Sequence, residues 1–468
     1  MFRNMLTPSA VAPGSIDAAL ADAAPTPFWL DDPSRPEPRP RLRRPASADL
    51  AIVGGGFSGL WTALLARERH PDWDIVLAEG ARLGWAASGR NGGFCAATLT
   101  HGERNGQRHF PGEADELRAL GRANLDGIEQ AIAAHRIDCD FNRAGALVVA
   151  TEPHQVGWLK AEPGEFLDAS AVRAEVNSPT YLAGRYDPRD TALINPARLA
   201  WGLAAACERI GVRIAERTPA TGLASDADGV TLRTRSGVLR ARRAVLATNA
   251  FPSLVKRLRP YIVPVYDYVL VTEPLTAAQL ASVGWRNRQG VADSGNQFHY
   301  YRLTADNRIL WGGYDAIYHF GRIMRSSYDQ RPETFTRLAE HFFTTFPQLE
   351  GIGFSHRWGG AIDTCSRFCA FFGTAHRGRV AYALGYTGLG VGATRFGARV
   401  MLDLLSGERT ELTELEMVRS KPLPFPPEPF AYLGVQSVRW SLDRADRRSG
   451  RRNLLLRALD AIGMGYDS

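Results

Sequence analysis

A chain of 468 residues is longer than a single hydrophobic core usually supports, so two closely packed domains are expected. Its 45% hydrophobic and 22% charged residues are ordinary for a globular protein, and no apolar run approaches the ~20 residues that span a bilayer. The formal charge of +7 is almost wholly arginine, spread along the chain with only Lys160, Lys256 and Lys421 as lysines, which argues against a nucleic-acid surface.

The arginine clusters at 39–44 and 447–452 flank the globular part and read as solvated ends. The Ala/Pro-rich residues 1–26 lack the pattern of a secretory signal, so a cytoplasmic location is expected. Cys95, Cys139, Cys207, Cys365 and Cys369 are odd in number and sparse, which suits a reducing compartment. Cys365 and Cys369 have no second pair or histidine cluster to complete a zinc site, so no metal is expected.

In chain order, residues 1–47 read as an arm that wraps or dangles, because five prolines between 31 and 45 bar both helix and central strand. Residues 49–53 form a short apolar run suited to a buried parallel strand. A glycine-rich loop, a helix over 60–70 and a second strand over 74–79 follow, making a βαβ unit. Helices are predicted over 113–134, 196–210 and 334–346, and a meander over 222–239 turns at Gly229 and Gly237. Residues 243–248 return to buried-strand character. The stretch 261–313 is β-rich, with 297–303 pairing with 308–313. A strand at 380–384 leads through glycines into a helix ending near Leu405. Beyond it, 425–429 is an extended strap and 453–462 a short amphipathic helix.

Gly54-x-Gly56-Phe57-Ser58-Gly59 lies between a strand and a helix, and Glu79 stands twenty residues past the last glycine at the end of the next strand. That context is what a dinucleotide fingerprint requires. Gly54 permits the tight turn, Gly56 lets pyrophosphate approach the backbone, and Gly59 lets helix and strand pack closely. The positive end of the helix favours the pyrophosphate, and Glu79 is placed to accept from ribose hydroxyls. The acid fits FAD or NAD. The polar, glycine-rich loop Ser88, Gly89, Arg90, Asn91, Gly92 and Gly93 favours FAD, since a plain NAD domain continues into its next βα element.

That loop resembles the D-amino-acid-oxidase-like (DAO) superfamily of flavoproteins, on the branch that contains gamma-glutamylputrescine oxidoreductases. Ala247 and Thr248 after a buried strand resemble the family's returning flavin strand. Tyr386, Thr387, Gly388, Leu389, Gly390 and Val391 before the last helix resemble its second flavin motif. The resemblance covers about residues 45–410. It implies an α/β (α+β overall) fold: a Rossmann-like FAD-binding domain with a parallel sheet, and a discontinuous substrate domain on a large, mostly antiparallel sheet. We assign 48–112, 190–260 and 355–410 to the first, 113–189 and 261–354 to the second, and 411–468 to a tail.

The resemblance further implies oxidation of a carbon–nitrogen bond, with hydride passing to flavin N5 and the imine hydrolysed by water. The partners are then an amine, with gamma-glutamylputrescine-like molecules included, and oxygen or another electron acceptor. Tyr300, Arg302 and Tyr386 are the candidate catalytic residues. On the 297–303 strand, His299 and Tyr301 share one face and Tyr300 and Arg302 the other, and the sequence does not say which face meets the flavin. Arg302 is either a holder of a distal carboxylate or part of a structural ion pair. Two departures stand out: Gly392 replaces the lysine with which sarcosine-oxidase-like relatives bind a substrate carboxylate, and Leu389 replaces the histidine of putrescine-type relatives. The Cys365 spacing does not match that of covalent flavin attachment, so non-covalent FAD is expected. An amino-acid dehydrogenase using a quinone or carrier protein is the alternative, as is a catalytically silent flavoprotein subunit. The state of assembly, including a homo-oligomer, is left open.

Overall fold

The computed structural model describes residues 12–461. The apolar run at 49–53 ends the strand Ala46–Val53, which sits centrally in an eight-stranded sheet. The order along the main path is Phe371–Ala375, Val380–Leu384, Val238–Leu246, Ala46–Val53, Ile75–Ala78 and Arg213–Ala215. All but the first of these run parallel, so both faces must be covered. Alternation sorts the side chains. Leu50 and Ile52 join Leu60, Trp61, Leu203 and Val400 from the helices Phe57–Arg69, Pro196–Arg209 and Gly390–Ser406. Ala51 and Val53 pack on the other side with Val230, Leu232, Phe371 and Tyr382. The expected meander is there: Ala220–Ser225, Val230–Thr234 and Val238–Leu246 pair antiparallel in sequence.

A second, nine-stranded sheet is built on the long pair Val263–Thr272 and Phe354–Thr364. Ile309–Gly313 and His299–Leu303 follow outward, with His299 opposite Gly313 as the predicted hairpin requires. Only Gly290–Asp293 and Ala146–Ala150 pair in parallel; the other pairings in this sheet are antiparallel. The helix Pro332–Thr345 packs Phe335, Leu338 and Phe342 against Tyr268, Leu270 and Trp311 of this sheet.

Two assigned boundaries need correction. Residues 355–364, set with the dinucleotide sheet, are bonded along the strand Phe354–Thr364 to Val263–Thr272 in the second sheet. The helix Ala114–Ala134, set with the substrate unit, buries Leu117, Leu125 and Ile128 in the core of the first sheet. In both cases the local pattern fixed the element, and the partner was decided by long-range packing.

The arm wraps rather than dangles. Its helix Pro13–Leu20, which the sequence reading lacks, places Ile16 and Leu20 in the core with Phe335 and Leu338. Ala24 bridges to His356, and Trp29 is buried. The part of the arm at 1–11 lies outside the described residues. In the tail, the strap at 420–429 crosses the body through Phe425 N to Pro260 O at 2.8 Å and Ser366 Oγ to Leu423 O at 2.7 Å. It leads to a helix also missing from the sequence reading, Phe430–Asp446, and then to the expected one, Leu454–Ala461. Residue 462 lies outside the described residues.

Candidate active site

The helix Phe57–Arg69 starts at Gly56 with no side chain at its N-cap, and its start at Gly56, Phe57 and Ser58 lines a cavity of about 1430 Å³. Gly54 has φ +114°, and a Cβ there would lie 2.4 Å from Ala247 O. A Cβ on Gly59 would lie 1.9 Å from Gly54 O, which is the close helix–strand approach the motif implied. At Gly56 an added Cβ would fill the space 2.8 Å from Ser88 Oγ. Ser88 Oγ in turn accepts from Phe57 N at 3.0 Å.

Glu79 is buried at the end of Ile75–Ala78. One oxygen accepts from Gly55 N at 2.6 Å, and the other from Ala81 N at 2.7 Å and Trp85 Nε1 at 3.1 Å. Burial pushes its carboxyl up while these donors pull it down. The oxygen that accepts only from Gly55 N has a lone pair left for a hydroxyl donor. Thr248 Oγ1 is buried on the same wall with no hydrogen-bond partner. A bare donor, a rigid acid and a cradle that a Cβ would fill all suit a dinucleotide ligand.

The second glycine loop reaches the same cavity. Gly388, Leu389, Gly390 and Val391 lie on its wall, and the helix Gly390–Ser406 also begins without a side-chain cap. Tyr386 lines the wall beside Ser58, their hydroxyl oxygens 3.3 Å apart. Gly392 is not on the wall: its missing side chain is needed because a Cβ would meet Ala96 O at 2.3 Å. A lysine there has no room.

Of the residues singled out from sequence, Gly54, Gly56, Phe57, Ser58, Glu79, Ser88, Arg90, Asn91, Gly92, Ala247, Thr248, Tyr300, Tyr386 and the 388–391 loop converge on one cavity. Gly59 and Gly93 stand behind the wall. Gly93 has φ +77°, and a Cβ there would lie 2.3 Å from Ile194 O. Arg90 is held by Asp329 at 2.5 Å and donates to Gly359 O at 3.0 Å.

Strand Leu-to-His alternation at 299–303 is now resolved. His299 and Tyr301 face the aromatic core, where His299 bridges Asp293 at 2.7 Å and His341 at 2.9 Å. Tyr300 faces the cavity. Arg302, on the Tyr300 side, is a correction: it is buried off the wall, donates to Ile194 O at 2.7 Å and Gly93 O at 3.3 Å, and lies over the Trp29 ring. It ties the 88–93 loop to the second sheet through backbone carbonyls.

Two groups of wall residues escaped the sequence reading. Asp267, whose carboxylate accepts from the Tyr300 hydroxyl, is the one charged residue in a ten-residue strand that is otherwise apolar and aromatic up to its last residue, Thr272, a signal that was present. Phe430, Leu433, Val438 and Leu442 come from the tail helix. Their apolar spacing of three, five and four residues was compatible with one face of a helix, but did not give its destination. Cys365 and Cys369 are buried core thiols off the wall, and Cys365 Sγ donates to Cys369 O at 3.1 Å.

An uncapped helix start, a buried acid and a second glycine loop around one cavity define a dinucleotide-dependent oxidoreductase. Comparison with known proteins makes this specific: residues 49–404 match the family model DAO, FAD dependent oxidoreductase. Gamma-glutamylputrescine oxidoreductase of Escherichia coli is 31% identical over 422 residues, 85% of this chain and 92% of that protein. Probable oxidoreductase OrdL of Haemophilus influenzae is 26% identical over 409 residues, 83% of this chain and 90% of that one. Among solved structures, glycine oxidase from Geobacillus kaustophilus shares the fold with a TM-score of 0.64 at 19% identity, covering 80% of this chain and 99% of that chain. The chain belongs to the DAO family of FAD-dependent oxidoreductases.

Proposed function

We propose that this enzyme oxidises the carbon–nitrogen bond of a primary or secondary amine. The observation that carries the reading is the cavity itself, which joins the dinucleotide elements to a wall of Tyr266, Asp267 and Tyr300 from the second sheet. FAD, when bound, supplies the acceptor for the hydride leaving the carbon beside nitrogen. The protein's part is to hold and orient. The helix start at Gly56–Ser58, Glu79, the 88–92 loop and Thr248 hold the cofactor, and the uncapped start of Gly390–Ser406 offers positive potential to the flavin edge. Tyr300 faces the substrate, and Tyr386 steadies the wall beside Ser58. Non-covalent attachment is supported by Cys365 being buried away from the cavity. Five buried, unpaired cysteines suit a reducing cytoplasm.

A small α-amino acid anchored by a lysine on the second loop is disfavoured, because Gly392 leaves that anchor no space. The similarity to a gamma-glutamylputrescine oxidoreductase favours polyamine-like substrates, including gamma-glutamylated ones. The test is an anaerobic screen of polyamines, gamma-glutamylated amines and N-methyl amino acids for bleaching of the flavin absorbance. Bleaching by an amine is expected, and a flavin that no member of the panel reduces overturns the reading. Peroxide release in air-saturated buffer then separates oxygen from a quinone or carrier protein as acceptor.

A further inference from the structure

Four carboxylates lie on the cavity wall among the described residues: Glu79, Asp267, Asp315 and Asp363. Glu79 accepts from Gly55 N, Ala81 N and Trp85 Nε1. Asp315 is held by Arg337 at 2.9 Å and Arg331 at 3.2 Å. Asp363 accepts from Gly385 N at 2.7 Å and Tyr386 N at 3.2 Å. Asp267 receives the Tyr300 hydroxyl and the N–H groups of Tyr268 and Gly313, and like Glu79 and Asp363 it has no arginine or lysine partner among the described residues; unlike those two, which hold glycine-rich turns, it stands mid-strand beside the Tyr300 ring. Arg90, the cation of the neighbouring loop, is taken by Asp329.

The position is a built one. Asp267 stands opposite Gly360 in the register of the long strand pair, and Gly360 borders the Arg90 side chain. The Tyr300 ring that orients it is clamped between two glycines: a Cβ on Gly92 would lie 2.6 Å from the ring and one on Gly312 2.7 Å. The carboxylate is thus fixed beside the 88–93 loop, facing a mostly apolar cavity. A carboxylate so placed costs free energy until a cation joins it. Amines reach the enzyme as cations.

We infer that Asp267, oriented by Tyr300, is the seat for the substrate's ammonium group, so that the cavity selects cationic amines and disfavours a carboxylate on the carbon bearing the nitrogen. This rests on the amine reading above and gives it a recognition element. A carboxylate adjacent to the ammonium would meet the like charge of Asp267, while Arg90 of the neighbouring loop is already paired. Burial lifts the Asp267 carboxyl to about 6, with Tyr300 opposing and His299 acting from its far side. The other ionisable groups facing this corner are Tyr266 on the same strand, Arg90 on the loop and Asp329 behind it. Cation binding therefore falls as pH drops through about 6, when the carboxyl takes up its proton.

The test uses the FAD-loaded enzyme and two probes of equal shape: tert-butylamine, which has no hydrogen on the carbon bearing nitrogen and so cannot be oxidised, and neutral tert-butanol. Binding is read from the shift in flavin absorbance. The wild type is expected to prefer the amine, and Asp267→Asn to weaken the amine by about 30-fold while leaving the alcohol unchanged. Loss of amine affinity below pH 6 should vanish with it. Tyr300→Phe keeps the carboxylate and should keep the preference, at reduced strength. Flavin content and Tm report on folding. An Asp267→Asn enzyme that binds the amine as well as the wild type, or that loses amine and alcohol alike, overturns the assignment. Because the probe is not turned over, a failed amine screen with intact cation binding sinks the reaction and spares the site; bleaching by amines with no effect of Asp267→Asn does the reverse.

Discussion

Asp363 and Glu79 share a design in which a buried acid holds a glycine-rich turn by its backbone N–H groups. Asp363, at the end of Phe354–Thr364, accepts from Gly385 and Tyr386, and burial raises its carboxyl to about 6 from an ordinary 3.8. A raised folded-state value means that the proton stabilises the fold. This contribution is complete below pH ~4 and is lost as pH rises through about 6, an order of 3 kcal/mol for such a shift. Asp363→Asn, which keeps an acceptor but no charge, should therefore lack that decline. Urea denaturation of both proteins between pH 4 and 7 measures it, and parallel curves would contradict the assignment. At the same scale, Arg302 shows how residue type can mislead: an arginine in the right strand serves carbonyl oxygens rather than a ligand.

The tail helix Phe430–Asp446 is held at both ends by carboxylates. Glu428 accepts from the Tyr318 hydroxyl and from Gly321 N, while Asp446 accepts from Asn296 N, Asn296 Nδ2 and Gln297 N at 3.0, 2.6 and 3.1 Å. Between them, Leu442 and Ala445 form a small core with Leu456 of the last helix. The helix thus closes one side of the cavity while depending on few apolar contacts of its own. Removing the Asp446 carboxylate leaves three half-buried donors unmet, and Asp446→Ala should lower the opening free energy of this helix by about 2 kcal/mol. Hydrogen exchange should then quicken in 430–446 while the strand Ala46–Val53 stays protected. Exchange that rises equally in both would mean the helix has no independent opening.

At the scale of the whole molecule, the arm and the flavin loop form one brace between the two sheets. Trp29 Nε1 donates to Asn91 O at 2.9 Å, its ring lies 5.6 Å from the Arg302 guanidinium carbon, and Arg198 pairs with Asp32 at 2.8 Å. Trp358 of the second sheet donates to Arg90 O at 2.9 Å from the other side. The 88–93 loop on the cavity wall is therefore gripped by an N-terminal segment remote in sequence. Trp29→Ala should cost about 4 kcal/mol of stability, as emptied aromatic sites do, and lower flavin occupancy with it. Thermal unfolding and the ratio of flavin to protein absorbance measure both, and full occupancy with an unchanged Tm would show that the arm is dispensable.

What the sequence determined by itself was local: strand, glycine turn, helix and acid at 49–79 follow from backbone constraints and from alternation within a few residues of each other, and the hairpin at 297–313 from the same rules. The first glycine motif was legible because Gly54 and Gly59 stand where a Cβ would strike backbone. Tertiary structure alone decided which sheet took Phe354–Thr364 and Ala114–Ala134, which face of 299–303 met the cavity, and that a tail helix supplied part of its wall. Those outcomes depend on burial between segments tens to hundreds of residues apart. Hydrophobic contact has no direction along the chain, so no local pattern encodes its partner.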